Sequence, residues 1–288
     1  MTYARHDIKG LQCLITGATN GIGVETARAL YQEGAHLTVL CRSEKKGQAL
    51  CTELGAQSGE IDLLLCDMGS LTQVQAAADE YLASGKTLDL LINNAGIVNT
   101  QRRISEDGYE EMLAVNHLAP FLLTTRLLPL LEKSEYARIV NVASHAHHFV
   151  RGMGFDDLQM QQNFKAIAGY GRSKLANLLF SLELVERLSG NAITVNCVHP
   201  GAVTTGLGTQ NKTIFSRILP WLLKPFFKTP MQGAQTTLYV ALAKELDTVT
   251  GQYFADCKLK CAKPWAQNKQ AAKQLWQLSE AMIAAKTQ

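Results

Sequence analysis

The sequence predicts an α/β protein whose doubly wound parallel sheet of about seven strands carries helices on both faces. Two observations lead to this fold class. Short apolar runs typical of buried strands alternate with segments of helical periodicity along the whole 288-residue chain. Strands joined by helices require right-handed crossovers, which give a mostly parallel sheet covered on both faces. No linker or shift in composition divides the chain, so we predict a single domain over residues 1–288.

The predicted elements follow one another in a regular order. Leu11–Thr16 is an apolar run that ends at a glycine and predicts the first strand. The apolar residues of Gly23–Glu33 fall on one helical face, and Gly34 ends that helix. The next strand and helix are predicted at His36–Cys41 and Ser43–Leu54. The remaining predicted strands are Ile61–Cys66, Leu88–Asn93, Ala137–Ala143, Ala192–Val198 and Gly251–Ala255, with helices near 70–84, 106–132 and 170–189.

Composition and charge exclude several classes of protein. A chain that is 47% hydrophobic and 18% charged can bury a sizeable core, which excludes a disordered or low-complexity protein. The formal net charge of +3 is spread without a basic tract, so we expect no nucleic-acid partner. Seven cysteines without CxxC spacing predict reduced thiols and no metal site. Because the sequence shows neither a secretory signal nor an apolar run of about 20 residues, we predict a soluble, cytoplasmic protein.

A glycine-rich segment, TGATNGIG at 16–23, links the first predicted strand to the first helix. Glycines allow a tight turn and a close approach of the backbone to a pyrophosphate, which then lies at the positive end of the helix. The segment therefore predicts a Rossmann-type dinucleotide site, and a glycine-rich turn without a ligand is the alternative. The residues assigned to the cofactor here are Gly17, Thr19, Asn20, Gly21, Ile22 and Gly23.

The end of the second strand bears on the choice of cofactor. NAD-binding sites place an acidic residue there, about 20 residues after the glycines, to bind the ribose 2′-hydroxyl. This chain has Cys41 followed by Arg42, with Lys46 one turn further on and Glu44 as the nearest carboxylate. Arginine can bind a 2′-phosphate through two hydrogen bonds, so we predict NADP(H), held by Arg42 and Lys46. A solvated, basic start of a helix is the alternative interpretation.

Tyr170 and Lys174 lie four residues apart, so on a helix both side chains project from the same face. A tyrosine hydroxyl has a reference pKa of about 10 and is a poor base at neutral pH. A nearby ammonium lowers that pKa, which suits general acid/base work on an alcohol or carbonyl oxygen. We expect Ser144 to hold that oxygen by a hydrogen bond. The alternative is a solvated helix pair without a catalytic role.

Taken in order, these motifs resemble those of the short-chain dehydrogenase/reductase family. The loop at 16–23 matches the family's TGxxxGIG, residues 93–96 match NNAG, and Tyr170–Lys174 match YxxxK. Longer stretches, such as Ile139–His148 and Tyr170–Phe180, resemble the retinol dehydrogenase-like branch. The resemblance implies that Asn116 anchors a water that relays protons to Lys174. The catalytic set it implies is Asn116, Ser144, Tyr170 and Lys174. The further cofactor contacts it implies are Asp67, Met68, Asn94, Ala95, Gly96, Tyr170, Lys174, Pro200, Gly201 and Thr204.

The chain departs from the family pattern at three points. Ser144 and Tyr170 are 26 residues apart, about twice the commonest family spacing, although the retinol dehydrogenase-like branch has a similar insertion. Position 143 is alanine where the family usually has a first serine. The amino-terminal membrane anchor that is frequent in the branch has no counterpart in this sequence.

Four histidines lie close to the predicted catalytic residues in the sequence. His145, His147 and His148 follow Ser144 without an acidic or thiolate partner nearby. We interpret these three as loop residues that line the substrate cleft or contact solvent, rather than as metal ligands. His199 is interpreted as a loop residue near the nicotinamide.

The stretch Asn211–Pro230 concentrates apolar and aromatic residues around four basic ones. The family places a mobile substrate lid there, at about residues 205–230, and apolar side chains in such a lid predict a lipophilic substrate. A core helix pair is one alternative. A peripheral membrane contact through the apolar lid is another.

Together, these observations predict an NADP(H)-dependent oxidoreductase that interconverts a lipophilic alcohol and its aldehyde or ketone by hydride transfer, the substrate being retinoid-, steroid- or fatty-aldehyde-like. Two alternatives are a catalytically silent nucleotide-sensing or scaffolding protein and a reductase of a polar carbonyl substrate. The intact set of Ser144, Tyr170 and Lys174 argues against the first, and the apolar lid argues against the second. The sequence leaves open the exact substrate, the direction of the reaction and the formation of a homo-oligomer.

Overall fold

The computed structural model describes residues 3–55, 60–203 and 228–287, and a single eight-stranded sheet forms its centre. The strands are β1 Gln12–Thr16, β2 His36–Cys41, β3 Ile61–Leu65, β4 Leu90–Asn93, β5 Arg138–Val142, β6 Thr194–His199, β7 Tyr253–Ala255 and β8 Lys258–Lys260. Their order in the sheet is β3-β2-β1-β4-β5-β6-β7-β8, with parallel pairing from β3 to β7. The order reverses direction between β1 and β4, which confirms the predicted single α/β domain with a doubly wound sheet.

The eighth strand corrects the predicted count of about seven. β8 pairs antiparallel with β7 through a two-residue turn at Asp256 and Cys257. Both turn residues have positive φ, 54° and 55°, as in the tight hairpin turns that fit the twist of two strands. The three residues of β8, Lys258–Lys260, are all exposed. A strand without a buried face has no apolar run, so the periodicity of the sequence did not reveal it.

Helices cover both faces of the sheet. They are α1 Gly21–Gln32, α2 Glu44–Leu54, α3 Leu71–Ala83, α4 Glu111–Leu113, α5 Ala119–Leu131, α6 Ala166–Arg187, α7 Pro230–Leu242 and α8 Lys269–Ala284. The helix predicted near 106–132 begins only at Glu111, because the Glu110 carboxylate accepts the N–H groups of Met112 and Leu113 and caps the helix. Among the described residues, no helix is both long enough and apolar enough to cross a membrane.

Two apolar cores lie on opposite faces of the sheet. Successive strand residues point to opposite faces, so Leu14 of β1 belongs to the core with α3, α5 and α6, whereas Ile15 belongs to the core with α1 and α7. The carboxyl-terminal helix α8 closes the first core, where the Trp276 ring packs against Phe121 with ring centroids 4.6 Å apart. Because α6 is packed between the sheet and α8, it is a rigid support for the residues on its first two turns.

Candidate active site

A cleft of about 360 Å³ opens at the carboxyl ends of the parallel strands, next to the β1–β4 boundary. Open α/β sheets bind ligands at this kind of boundary, where the strand order reverses. The predicted site residues that line the cleft are Gly17, Thr19, Asn20, Gly21, Ile22, Gly23, Arg42, Asp67, Met68, Asn94, Ala95, Gly96, Ser144, Tyr170, Lys174, Pro200 and Gly201. Lys46 and Asn116 do not line it. Thr204 and the predicted lid as far as residue 227 lie outside the described residues.

The glycine loop between β1 and α1 packs so closely against neighbouring backbone that two of its positions have no space for a side chain. Gly17 has a φ of +69°, and a Cβ placed on it would lie 2.9 Å from the Cα of Ala95. A Cβ on Gly23 would lie 2.2 Å from the carbonyl oxygen of Gly17. The side chain of Asn20 makes no capping hydrogen bond to α1, so it does not occupy the first N–H groups of the helix. The loop therefore fits the phosphates of a dinucleotide.

Hydrogen bonds from the end of β4 fix this loop in place. The Asn94 amide donates to the carbonyl oxygens of Thr16 and Gly17, at 2.9 and 3.2 Å. In return, the Thr16 hydroxyl oxygen accepts the backbone N–H groups of Asn94 and Ala95, at 3.0 and 2.9 Å. Asn94 thus has a structural contact with the glycine loop in addition to its place in the cleft wall.

Arg42 and Asp67 form the outer end of the cleft, above β2 and β3. The Arg42 guanidinium lies 3.4 Å from the Asp67 carboxylate, and 69% of the Arg42 side chain is exposed. No carboxylate occupies the end of β2, where Cys41 is buried and lines the cleft. Lys46 lies on α2 with an exposed side chain, and its backbone N–H binds Ser43 as part of the helix cap. The structure thus brings Arg42 to the cleft and leaves Lys46 outside its wall.

Ser144, Tyr170 and Lys174 meet at the inner end of the cleft. Ser144 follows β5, whereas the other two lie on successive turns of α6. Ser144 and Tyr170 both line the cleft, and the Ser144 side chain is near enough to the Tyr170 hydroxyl to affect its pKa. Lys174 is buried, its ammonium donates to the Val142 carbonyl oxygen at 2.8 Å, and its Nζ lies 5.9 Å from the centre of the Tyr170 ring. The 26-residue separation of Ser144 and Tyr170 therefore does not prevent their contact.

Burial sets the protonation of these groups. Burial raises the pKa of Tyr170, and the hydrogen bond from Ser144 opposes that rise without cancelling it. Burial also lowers the pKa of Lys174 to about 8. The sequence predicted a lowered pKa for Tyr170 because of the nearby ammonium; that expectation was wrong here, since burial has the largest effect on this hydroxyl and raises its pKa. Tyr170 is therefore protonated at neutral pH and can donate a proton.

Asn116 lies in a π-helical turn, Ala114–Leu118, that joins α4 to α5. Such turns are rare in proteins overall, but many of those that occur lie at functional sites. The sequence predicted only a regular helix here. The Asn116 amide oxygen accepts the Ile97 N–H at 2.7 Å, and its amide nitrogen donates to Ile97 O at 3.0 Å and to Ser173 Oγ at 2.9 Å. A Cβ on Gly96 would lie 3.3 Å from Asn116 Oδ1 and 3.2 Å from Lys174 Nζ. Asn116 therefore lies just behind the cleft wall, on the same side as Lys174.

The histidines after β5 and β6 surround Ser144. The rings of His145 and His199 are 3.9 Å apart between centroids, and the His145 N–H donates to His199 Nδ1 at 3.3 Å. His147 is fully buried, whereas His148 is exposed. Over residues 3–55, 60–203 and 228–287, no group of three or more His, Cys, Asp or Glu side chains is arranged to hold a metal ion.

Sequence reasoning missed several residues that line the cleft. Asn99 and Glu111 form a polar pair in its wall, with the Asn99 amide donating to the Glu111 carboxylate at 2.7 Å. The apolar members that were missed include Ile97, Val98, Val115, Val142 and Val203. None of these side chains belongs to a motif, so no pattern in the sequence marked them.

The fold and this cleft place the protein in the class of nicotinamide-dependent oxidoreductases. Comparison with known proteins gives the family: residues 12–213 match the family model described as short chain dehydrogenase. The chain is 42% identical to mouse (Mus musculus) retinol dehydrogenase 12 over 275 residues, which cover 94% of this chain and 86% of the relative. It is 40% identical to human (Homo sapiens) retinol dehydrogenase 11 over 274 residues, covering 94% and 85%.

A solved structure has the same fold over nearly the whole chain. The crystal structure of an uncharacterized protein from Mycobacterium paratuberculosis superimposes with a TM-score of 0.78 at 29% identity, covering 98% of both chains. The chain therefore belongs to the short-chain dehydrogenase/reductase family, in its retinol dehydrogenase-like branch. It is therefore an oxidoreductase of this family.

Proposed function

We propose that this protein is an NADP(H)-dependent oxidoreductase that interconverts a lipophilic alcohol and its aldehyde or ketone, with Tyr170 as general acid/base. The observation that carries the proposal is the convergence of Ser144, Tyr170 and buried Lys174 in the same cleft as the glycine loop. Loss of one of these three residues would favour a scaffolding protein without catalytic activity. Here all three side chains are present and line the same cleft. Their geometry suits a substrate oxygen held between two hydroxyl groups.

The proposed mechanism assigns one task to each side chain. The glycine loop at 16–23 would hold the phosphates of a nicotinamide cofactor, which would supply or accept the hydride when bound. Ser144 donates a hydrogen bond to the substrate oxygen and orients the reacting carbon. Tyr170, protonated at neutral pH, gives its proton to that oxygen during reduction and takes it back during oxidation. The buried Lys174 ammonium stabilises the phenolate that remains after the transfer, because opposite charges in a site poor in water attract strongly.

Arg42 supports NADP(H) over NAD(H). Its guanidinium is at the outer end of the cleft, and β2 ends without the carboxylate that would repel a 2′-phosphate. The contact with Asp67 does not prevent Arg42 from binding a phosphate, since exposed ion pairs of this kind contribute little to the free energy of unfolding. Arg42 can turn from Asp67 to a phosphate at small cost and gain a charge-assisted hydrogen bond.

The relatives and the inner wall of the cleft support a lipophilic substrate. The relatives at 40–42% identity are named retinol dehydrogenases. In this chain, Val98, Val142 and Val203 give the cleft an apolar wall. Buried apolar surface stabilises a bound hydrocarbon chain by about 0.8 kcal/mol per methylene. We therefore propose a retinoid-, steroid- or fatty-aldehyde-like substrate.

The proposal is tested with the purified protein and a series of aldehydes of increasing chain length that includes a retinoid aldehyde. Oxidation of NADPH and of NADH is followed by absorbance, and the corresponding alcohols are tested with the oxidised cofactors. We expect turnover with NADPH, and kcat/KM that rises about fourfold per methylene until the pocket is filled. Cofactor binding without turnover of any alcohol or carbonyl compound would favour the silent scaffold instead. A preference for polar carbonyls would refute the lipophilic substrate alone.

A further inference from the structure

The short 3₁₀ turn His145–Phe149, directly after Ser144, contains a buried histidine that the proposed mechanism does not use. The ring nitrogen Nδ1 of His147 lies 2.7 Å from the carbonyl oxygen of Ser144. Because a carbonyl oxygen only accepts, Nδ1 carries the hydrogen and donates it. The other ring nitrogen, Nε2, is buried and has no hydrogen-bond partner among the described residues. Within the described part of the chain, the bond to Ser144 is therefore the single hydrogen bond of this ring.

That bond completes a frame around Ser144. The Ser144 hydroxyl oxygen accepts the backbone N–H of Ala146 at 3.1 Å, and Ser144 lines the cleft together with Tyr170. At the other end of the residue, the Ser144 carbonyl accepts the His147 ring at 2.7 Å and the His147 backbone N–H at 3.3 Å. The position of the Ser144 hydroxyl thus depends on a turn that the His147 ring holds closed.

Neighbouring elements hold the turn from outside. A Cβ on Gly171, the residue after Tyr170, would lie 2.8 Å from the Ala146 carbonyl oxygen, so glycine lets α6 contact the turn directly. From the carboxyl-terminal part of the chain, the Trp265 ring N–H donates to the His147 carbonyl oxygen at 3.0 Å. The turn that contains Ser144 and His147 is therefore in direct contact with α6, next to Tyr170, and with the carboxyl-terminal part of the chain.

We propose that His147 is a positioning residue that fixes the Ser144 hydroxyl against Tyr170, so that both reach one substrate oxygen. This role rests on the proposed function of Ser144 and Tyr170. Burial lowers the pKa of His147 to about 4, so the ring is neutral at working pH and transfers no proton itself. The charges of His145, His148 and Lys263 also disfavour its charged form, the hydrogen bond to the Ser144 carbonyl favours it, and the Tyr253 ring packs against the His147 ring with centroids 5.2 Å apart.

The test compares two substitutions at one position. His147→Leu fills the space without a donor, whereas Asn in His147→Asn presents an amide N–H at the place of Nδ1. His148→Asn, at the exposed neighbour in the same turn, is the matched control. We expect His147→Leu to lower kcat at least about tenfold, because small displacements of a positioned group are costly, with little change in KM for NADPH. His147→Asn should recover most of kcat, and both variants should retain the wild-type pH profile.

A second readout does not need turnover. The 13Cζ resonance of Tyr170, identified with Tyr170→Phe, reports the hydrogen bond to its hydroxyl at neutral pH. We expect His147→Leu to shift this resonance as Ser144→Ala does, and His147→Asn to leave it unchanged. If His147→Leu does not fold, Trp265→Phe removes the outer support and should produce a smaller shift in the same direction.

Specific results would overturn the proposal. Wild-type kcat and an unshifted Tyr170 resonance in His147→Leu would show that the ring does not position Ser144. Equal losses in His147→Leu and His147→Asn would assign His147 to packing alone. If one limb of the pH–rate profile disappeared in either variant, the His147 ring would be a proton carrier instead of a positioning residue. A wild-type protein without any turnover would refute the proposed function, while the resonance would still decide the role of His147.

Discussion

The two ends of the cleft are built in different ways. The cofactor end consists of a contiguous loop, residues 16–23, whose backbone closely approaches Ala95 and whose shape depends on the missing side chains of glycines. The reacting end combines side chains from the segment after β5 and from α6. Lys174 is 3% exposed and Ser144 and Tyr170 are half-buried, whereas 69% of the Arg42 side chain is exposed. Backbone geometry therefore forms one end, and polar side chains withdrawn from solvent form the other.

This difference has consequences for how the two ends respond to change. At the outer end, water surrounds Arg42 and Asp67, so a substitution there alters the binding of a ligand more than it alters the protein. At the inner end, burial raises the pKa of Tyr170 and lowers the pKa of Lys174, so a change there alters protonation and stability as well. Cofactor affinity and turnover should thus separate when the two ends are changed one at a time.

The sharpest test of this separation is Tyr170→Phe. The variant keeps the ring and removes the proton donor, so kcat should fall by about 10²- to 10⁴-fold, the usual contribution of general acid/base catalysis. The dissociation constant for NADPH, measured by fluorescence titration, should change less than about threefold because the glycine loop is unchanged. Near-normal turnover would remove Tyr170 from the mechanism.

The second test concerns the stability of the reacting end. Burial lowers the pKa of Lys174 from 10.5 in the unfolded chain to about 8 in the folded protein. Below pH 8 the folded state bears the full cost of a buried charge, about 3 kcal/mol for a shift of this size. Between pH 8 and 10.5 the unfolded chain binds more protons, so the free energy of unfolding gains from this group as pH rises.

Lys174→Met removes this titration, and the comparison isolates it from cysteines and tyrosines that titrate in the same range. The stability of Lys174→Met relative to the wild type should be greatest near pH 7 and should decrease toward pH 10. Urea denaturation of both proteins at several pH values measures it. A difference between the two proteins that stays constant with pH would contradict a lowered Lys174 pKa.

The third test addresses the outer end. Arg42→Ala should raise KM for NADPH more than about tenfold, which corresponds to the 1.5–3 kcal/mol of a hydrogen bond to a charged group. KM for NADH and kcat should hardly change, because the reacting end is intact. Lys46→Ala is the matched control and should leave both KM values within about twofold, since its side chain lies outside the cleft wall. Equal losses for the two cofactors would give Arg42 a structural role.

The smallest effect is expected for Asp67→Asn. Its contact with Arg42 is exposed at both ends, so the free energy of unfolding should change by less than about 1 kcal/mol, and less at high salt. Chemical denaturation at low and high ionic strength measures this change. A loss of several kcal/mol would show that the outer end is supported by a buried network, contrary to the comparison drawn above.

The sequence predicted the fold well where elements are buried on a regular period. The runs at Leu11–Thr16 and His36–Cys41 agree with β1 and β2 to within one residue at each end, because a strand buried on both faces must be apolar along its length. Prediction failed for elements whose burial does not require a regular apolar pattern. β8 has no buried face, and the π turn at Ala114–Leu118 has the composition of an ordinary helix.

In the site, too, the features that depend on neighbouring residues in the sequence were predicted, whereas those that depend on distant segments were not. The glycine loop and the Tyr170–Lys174 pair were predicted as motifs, and the structure brings both to one cleft. The pair of Asn99 and Glu111 was not predicted, because their contact depends on how the segment after β4 meets α4. The direction of the Tyr170 pKa was also missed, since burial is a property of the folded environment and cannot be read from spacing.

The sequence by itself determined the class of fold and placed the glycine loop and the Tyr170–Lys174 pair, because each of these depends on patterns among residues that are close together along the chain. Only the tertiary structure decided which charges lose water. It placed Lys174 in the interior and Arg42 in solvent, although both are basic residues beside the same cleft. The physical reason is that solvation depends on all the elements packed around a group, and those come from distant parts of the chain.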